Sequence, residues 1–201
     1  MKAFPTALPT KLAEQLAGTR AGQPVKIFAQ DETRLGLLPI LRRRITACGI
    51  QPVATVAQRF DNFYLFGAVE PTTGDSFFLE LPCLNSAMFQ LWLDDFADAF
   101  PASFNILVLD NGAFHTAKTL RWPSNVAAVP FPPYSPELNP IERLWRDLKD
   151  QLAPTVFTSL DALSDTVCRL IQSYSQATLK SLTGFAYFTQ AVATVLGTAH
   201  V

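Results

Sequence analysis

One stretch, FNILVLD (residues 104–110), restricts the fold more than any other: six uncharged residues, then an aspartate. Strands buried on both faces read as near-continuous apolar runs, whereas half-exposed strands alternate. Such a strand needs a layer on each side, so the sheet that holds it must be flanked by helices. VKIFAQDE (25–32) is a second short apolar run, and it too ends in acid. FYLFGAVEPTTGDSFFLEL predicts a hairpin, with β-rich runs at 63–69 and 76–81 around Pro, Thr, Gly and Asp turn residues. VAAVPF (126–131) predicts one more strand.

Helical periods fill the gaps. In NSAMFQLWLDDFADAF, Met88, Leu91, Trp92, Phe96 and Phe100 recur at helical spacing behind Asn85 or Ser86 as N-cap. PIERLWRDLKDQLA places Ile141, Leu144, Leu148 and Leu152 on one core-facing side. Shorter helices are expected over Thr10–Ala17 and over 113–120, and two more over 159–175 and 178–196. Residues 33–52 read as a loop region. The sum is an α/β chain with a mixed sheet flanked by helices, and active-site residues in such sheets gather where strands give way to loops. The expected organisation is a lead-in over 1–24, one catalytic-type domain over 25–153, and a helical extension over 154–201 packed on it.

Bulk properties narrow the function. Hydrophobic residues make up 49% and charged residues 16% of 201 positions, enough for a substantial core and too apolar for a disordered chain. The net charge of −1 excludes a self-sufficient nucleic-acid binder, whose affinity comes largely from basic excess. If the chain acts on nucleic acid, much of the grip belongs to another domain or partner. Cys48, Cys83 and Cys168 are odd in number and show no CxxC spacing, which predicts reduced, mostly buried thiols. With no signal-like run at the start and no segment of ~20 apolar residues, a cytoplasmic protein is expected, with no membrane partner.

The chemistry is concentrated in PFPPYSPELNPIERLW (130–145), which spends five of fifteen prolines in eleven residues before turning helical. Repeated prolines fix φ and push the preceding residues towards extended backbone, so the start of the helix is held rigid. Such rigidity suits a ligand that must stay close to its productive position. Three acids stand at ordered junctions: Asp31 and Asp110 at strand ends, Glu142 at a helix start. Converging carboxylates are what a pair of Mg²⁺ or Mn²⁺ ions needs for phosphoryl chemistry, because these ions take hard oxygen ligands. Each acid also has a local structural role open to it. DNG (110–112) is a good turn by itself. Asn139, Pro140 and Glu142 match a capping box, and Arg146 is placed to pair with Glu142.

QDETRLG, LVLDNGAFH and PPYSPELNPIERLWRDLK together resemble the catalytic domain of DDE transposases, in particular bacterial insertion-sequence transposases related to the mariner group. The resemblance covers about Val25 to Leu152. It implies a ribonuclease-H-like fold and a metal-binding triad at Asp31, Asp110 and Glu142, the last two 32 positions apart. It implies two Mg²⁺ (or Mn²⁺) per site, cleavage of DNA at element ends and strand transfer to target DNA, and a homodimer on DNA. The helix-turn-helix region that normally precedes this domain is absent from these residues, which implies a separate DNA-binding domain or polypeptide. RRRITACG lacks the tryptophan usual there.

Adjacent strand residues point to opposite faces, so only one of Asp31 and Glu32 can meet the metals, and the resemblance favours Asp31. His115 matches a histidine usual in the family, where it would touch phosphate, orient a ligand or make a local hydrogen bond. Arg42, Arg43 and Arg44, with Arg143, Arg146 and Lys149, are candidate phosphate contacts, or else a solvated surface. Trp145 is expected in the core, and Asn111 either near the second metal or in the turn. Two rival functions remain open: an inactive remnant that binds DNA or subunits as a regulator, and a ribonuclease-H-like nuclease.

Overall fold

In the computed structural model, residues 3–16, 19, 22–38, 48 and 60–197 are described. The elements run α1 (Ala3–Leu16), β1 (Val25–Gly36), β2 (Asn62–Val69), β3 (Ser76–Leu81), α2 (Ser86–Ala99), β4 (Phe104–Leu109), β5 (Val126–Pro130), α3 (Ile141–Leu152), α4 (Leu160–Ser173), α5 (Gln176–Thr183) and α6 (Ala186–Leu196). One five-stranded sheet has the order β3-β2-β1-β4-β5. β1, β2 and β3 pair antiparallel, while β1–β4 and β4–β5 pair parallel. FNILVLD is therefore an inner strand, and Ile106 to Val108 are fully buried as its composition requires.

The period of two along β1 and β4 splits the core into two layers. Ile27, Ala29, Ile106 and Val108 face one side, where α1 and α3 to α6 pack. Phe28, Leu107 and Leu109 face the other, where α2 lays Phe89, Trp92, Leu93 and Phe96 against the sheet. The α2 rings meet at helical spacing, with Trp92 and Phe96 stacked at 5.1 Å and 13°. Asn85 is its N-cap and accepts a hydrogen bond from the Met88 N–H at 2.9 Å.

The structure departs from the sequence reading in several places. β1 continues to Gly36 because β2 pairs with it as far as Gly36↔Asn62, although its pairing with β4 stops at Ala29↔Val108. The helix expected over 113–120 is a series of turns. α1 is longer than Thr10–Ala17 and buries Phe4, Leu8 and Leu12 against α6 and β5. The last predicted helix is two, α5 and α6, because the chain turns extended at Phe185 after the Gly184 N–H closes onto the Lys180 carbonyl. Cys48, Cys83 and Cys168 are free but exposed, not buried. Among the described residues no helix is long and apolar enough to cross a membrane.

Candidate active site

Asp31 is not the last residue of its strand, but it lies just beyond the point where β1 parts from β4. Asp110 directly follows β4. The two parallel strands end their shared ladder side by side, which brings these acids to one edge. Parity then decides the face. Asp31 follows Ile27 and Ala29, and Asp110 follows Ile106 and Val108, all on the layer that α3 covers. Glu142, in the first turn of α3, completes the group, and all three acids line one pocket with the proline loop from Phe131 to Pro136.

Long-range hydrogen bonds hold that loop. The Phe131 N–H donates to the Leu109 carbonyl at 2.7 Å, and Asn111 Nδ2 donates to the Phe131 carbonyl at 2.6 Å. At the far end, buried Asn139 donates from Nδ2 to the Gln30 carbonyl at 2.9 Å. This bond clips the start of α3 to the residue before Asp31 and so sets where Glu142 stands. Asn139 keeps part of the capping role expected, because its Oδ1 accepts from the Ile141 N–H at 3.4 Å while Nδ2 makes this clip. Pro140 occupies the N-cap with no side-chain cap bond, and Glu142 makes no bond back to the cap. Nor does Arg146 come within salt-bridge distance of Glu142; the carboxylate is left facing the pocket. Tyr134, in the middle of the loop, is fully exposed and holds φ at 54°, a left-handed conformation that non-glycine residues adopt at a cost.

Each acid has its own electrostatic setting. Burial first, then the charges of Glu32 and Glu142, push the Asp31 carboxyl well above the usual carboxylate range. Its side-chain partner is the Trp145 indole N–H, which donates to Oδ2 at 3.0 Å. Burial likewise raises Glu142, with Lys149 and Arg146 offsetting part of the effect. Asp110 shifts the opposite way, because hydrogen bonds from His115 Nδ1 and the Gly112 N–H, both 2.8 Å to Oδ1, hold its carboxyl low against partial burial.

His115 also donates from Nε2 to Glu32 Oε1 at 3.1 Å, so both ring nitrogens face carboxylates. Burial disfavours its charge, yet the bonds to Asp110 and Glu32 outweigh that and lift the imidazole to about 9. His115 is buried against Phe89 and Phe114. Glu32 points to the opposite face from Asp31, as alternation requires, and accepts a further bond from Gln30 Nε2 at 2.7 Å. The basic candidates separate. Arg143 lies over the Phe185 ring at 4.2 Å, Lys149 lines a different, apolar pocket beside Leu37 and Leu152, and Arg146 is exposed. Arg42, Arg43 and Arg44 lie outside the described residues.

Sequence reasoning missed three features: the Trp145–Asp31 bond, the Glu32–His115 bridge and the Asn139 clip. They join residues 114, 83 and 109 positions apart, and nothing local announces them.

The donor set fits a hard divalent cation. Three carboxylates face one pocket, two are held high by burial, and neither of those two has a base at salt-bridge distance. A cation would offset the burial that raises both and, at Asp31, the added repulsion of Glu32 and Glu142. Among the described residues no three acid, histidine or cysteine side chains already stand at ion-holding spacing, so the carboxylates must adjust to share one.

Comparison with known proteins agrees with this arrangement. The DDE superfamily endonuclease family matches residues 26–164. An uncharacterized protein of Sinorhizobium fredii, y4pE/y4sA, is 32% identical over 107 residues, covering 52% of this chain and 79% of its own length. The Mos1 strand transfer complex superposes with a TM-score of 0.65 at 18% identity, covering 98% of this chain. The Mos1 mariner paired end complex with Mn gives 0.63 at 16% identity, also over 98% of this chain. The chain spans about three-fifths of those transposase chains, 61% and 62%. The shared fold is the ribonuclease-H-like one, and a family match running from β1 through α3 into α4 means that the chain belongs to the DDE superfamily of endonucleases.

Proposed function

We propose that this chain is a transposase catalytic domain that cleaves DNA strands at insertion-sequence ends and joins them to target DNA. The observation that carries the reading is the meeting of Asp31, Asp110 and Glu142 on one pocket wall from three separate elements. These three would hold two Mg²⁺ or Mn²⁺ ions. When bound, such a pair lowers the pKa of an attacking water or 3′-hydroxyl and neutralises charge on the leaving oxygen.

The residues of the chain have distinct tasks. Asp31, whose carboxyl is raised by burial and by the charges of Glu32 and Glu142, would be one ligand, and a cation's charge would favour its ionised form. Asp110 is already ionised, because His115 and the Gly112 N–H fix Oδ1 and leave Oδ2 for the cation. Glu142 would complete the set from the first turn of α3, whose start is held by the proline loop and the Asn139 clip. Arg146 and Lys149, on later turns of α3, draw the DNA backbone towards the acids, while Arg143 is committed to Phe185. Exposed Tyr134 at the rim offers a face for a nucleobase. Near-neutral charge assigns most of the DNA affinity to a separate helix-turn-helix domain or polypeptide and to pairing of two copies on DNA. The division proposed is a catalytic domain over 25–153 with a helical extension over 154–201.

The test is Asp110→Asn, assayed for Mg²⁺-dependent nicking of terminal-repeat DNA. Nicking should disappear while circular dichroism stays native. A folded variant that nicks at the wild-type rate removes the mechanism.

A further inference from the structure

Asp31 and Gly67 are direct cross-strand partners in the β1–β2 ladder. Trp145, on α3, lies across that pair almost completely buried, with its ring edge-on to Phe78 at 6.1 Å and 68°. A β-carbon built at Gly67 would stand 2.6 Å from Trp145 Cη2 and 2.8 Å from the Phe78 ring. No side chain fits there, and without one the indole sinks onto β2 far enough for its N–H to reach Asp31 Oδ2 at 3.0 Å.

We propose that Trp145 is the positioning residue of Asp31, its indole N–H fixing Oδ2 so that Oδ1 is offered to a divalent cation, and that Gly67 is the notch that seats it. The inference rests on the reading of Asp31 as a metal ligand. The type of donor argues for the role. A lysine or arginine at this place would orient the carboxylate equally well, but its positive charge would compete with an incoming ion and repel it. An indole N–H orients without neutralising, and it can only donate. Trp145 is also rigid, locked between β2 and α3, so the hydrogen bond restrains the carboxylate and does not follow it. Partners of this kind, one step from the ion, commonly change metal affinity by about 10–100-fold when removed. A tryptophan serving the core alone would need neither a carboxylate acceptor nor a glycine opposite that acceptor.

The experiment compares Trp145→Phe, which keeps an aromatic ring and loses the N–H, with Gly67→Ala and Asp31→Asn in the full chain. Mn²⁺ binding is measured by calorimetry, and the indole N–H resonances of the metal-free protein by two-dimensional NMR. Trp145→Phe should bind Mn²⁺ about 10–100-fold more weakly, and the resonance it abolishes should shift in Asp31→Asn and on adding Mg²⁺ to the wild type. Gly67→Ala should displace the same resonance and weaken binding in parallel. If Asp31→Asn loses Mn²⁺ binding while Trp145→Phe retains wild-type affinity, the positioning role is overturned and the metal site stands. If Asp31→Asn also binds as the wild type does, both are overturned. Should Trp145→Phe fail to fold, an indole resonance in the wild type that ignores both Asp31→Asn and Mg²⁺ overturns the proposal by itself.

Discussion

Asp31 and Glu32 are neighbours on one strand, and their surroundings could hardly differ more. Asp31 faces the layer covered by α3, meets only neutral donors, the Trp145 indole and the Glu32 backbone N–H, and opens onto a pocket shared with two further acids. Glu32 faces the α2 layer and is enclosed by Gln30 and by a histidine lifted to about 9. One carboxylate lacks a cationic partner; the other has one built in. The pleat alone separates them, and what the contrast teaches is how a sheet turns a single step in sequence into two electrostatic roles. An acid held for a metal must be left short of positive charge, and its neighbour, buried without a metal, must be satisfied by the protein itself.

The comparison breaks most visibly in activity. Asp31→Asn should reduce metal-dependent DNA nicking by more than about 100-fold, beyond the usual loss from a supporting partner, whereas Glu32→Gln should stay within about tenfold of wild type. Nicking rates at saturating Mg²⁺ measure both. Equal losses would mean that the two faces do not divide the work as argued.

Stability should reverse the order. Glu32→Gln removes the charge that faces His115 and Gln30, and should lower unfolding free energy by about 1–3 kcal/mol, as for loss of a buried charged hydrogen bond. Asp31→Asn relieves carboxylate crowding in the metal-free protein and should be neutral or slightly stabilising. Urea unfolding in the presence of a chelator gives both values. A Glu32→Gln protein as stable as the wild type would show that the bridge is not needed.

The histidine gives the bridge a pH signature. Its folded pKa, about 9, lies above the unfolded value near 6.5. Its contribution is therefore complete below about pH 6.5 and is lost as pH rises through about 9. Metal-free wild type should exceed His115→Asn in stability by about 1–2 kcal/mol at pH 6, and the two should converge by about pH 9.5. A gap of constant size across that range would mean that the imidazole is not charged in the folded protein.

What could be read in the sequence follows the same division. The run FNILVLD announced a strand covered on both faces, and Asp110 and Glu142 were legible at element junctions because junctions leave local marks: turn residues, prolines, the start of an amphipathic period; Asp31, expected at a strand end, lies inside β1. Register leaves none. That Gly67 lies opposite Asp31, and that β1 runs on to Gly36 after parting from β4, depends on pairings chosen by the whole sheet. Asn139 shows the limit clearly. Its position before Pro140 predicts a helix cap, and its Oδ1 does accept from the Ile141 N–H at 3.4 Å, but nothing local foretells that its Nδ2 donates to the buried Gln30 carbonyl 109 positions away.

The smallest effects test whether the two layers are energetically independent. Asn85→Ala unties the cap of α2 on the Glu32 side, and Ser159→Ala unties that of α4, where the serine accepts from the Ala162 N–H at 3.2 Å, on the Asp31 side. Each should cost about 1 kcal/mol. Neither side chain touches an acid, so Mn²⁺ affinity should be unchanged in both, and the double mutant should lose the sum of the two single losses in urea unfolding. If Asn85→Ala weakens Mn²⁺ binding, strain in α2 reaches Asp110 through Phe89 and His115, whose rings lie 4.5 Å apart, and the sheet is then a coupling path between the layers instead of a partition.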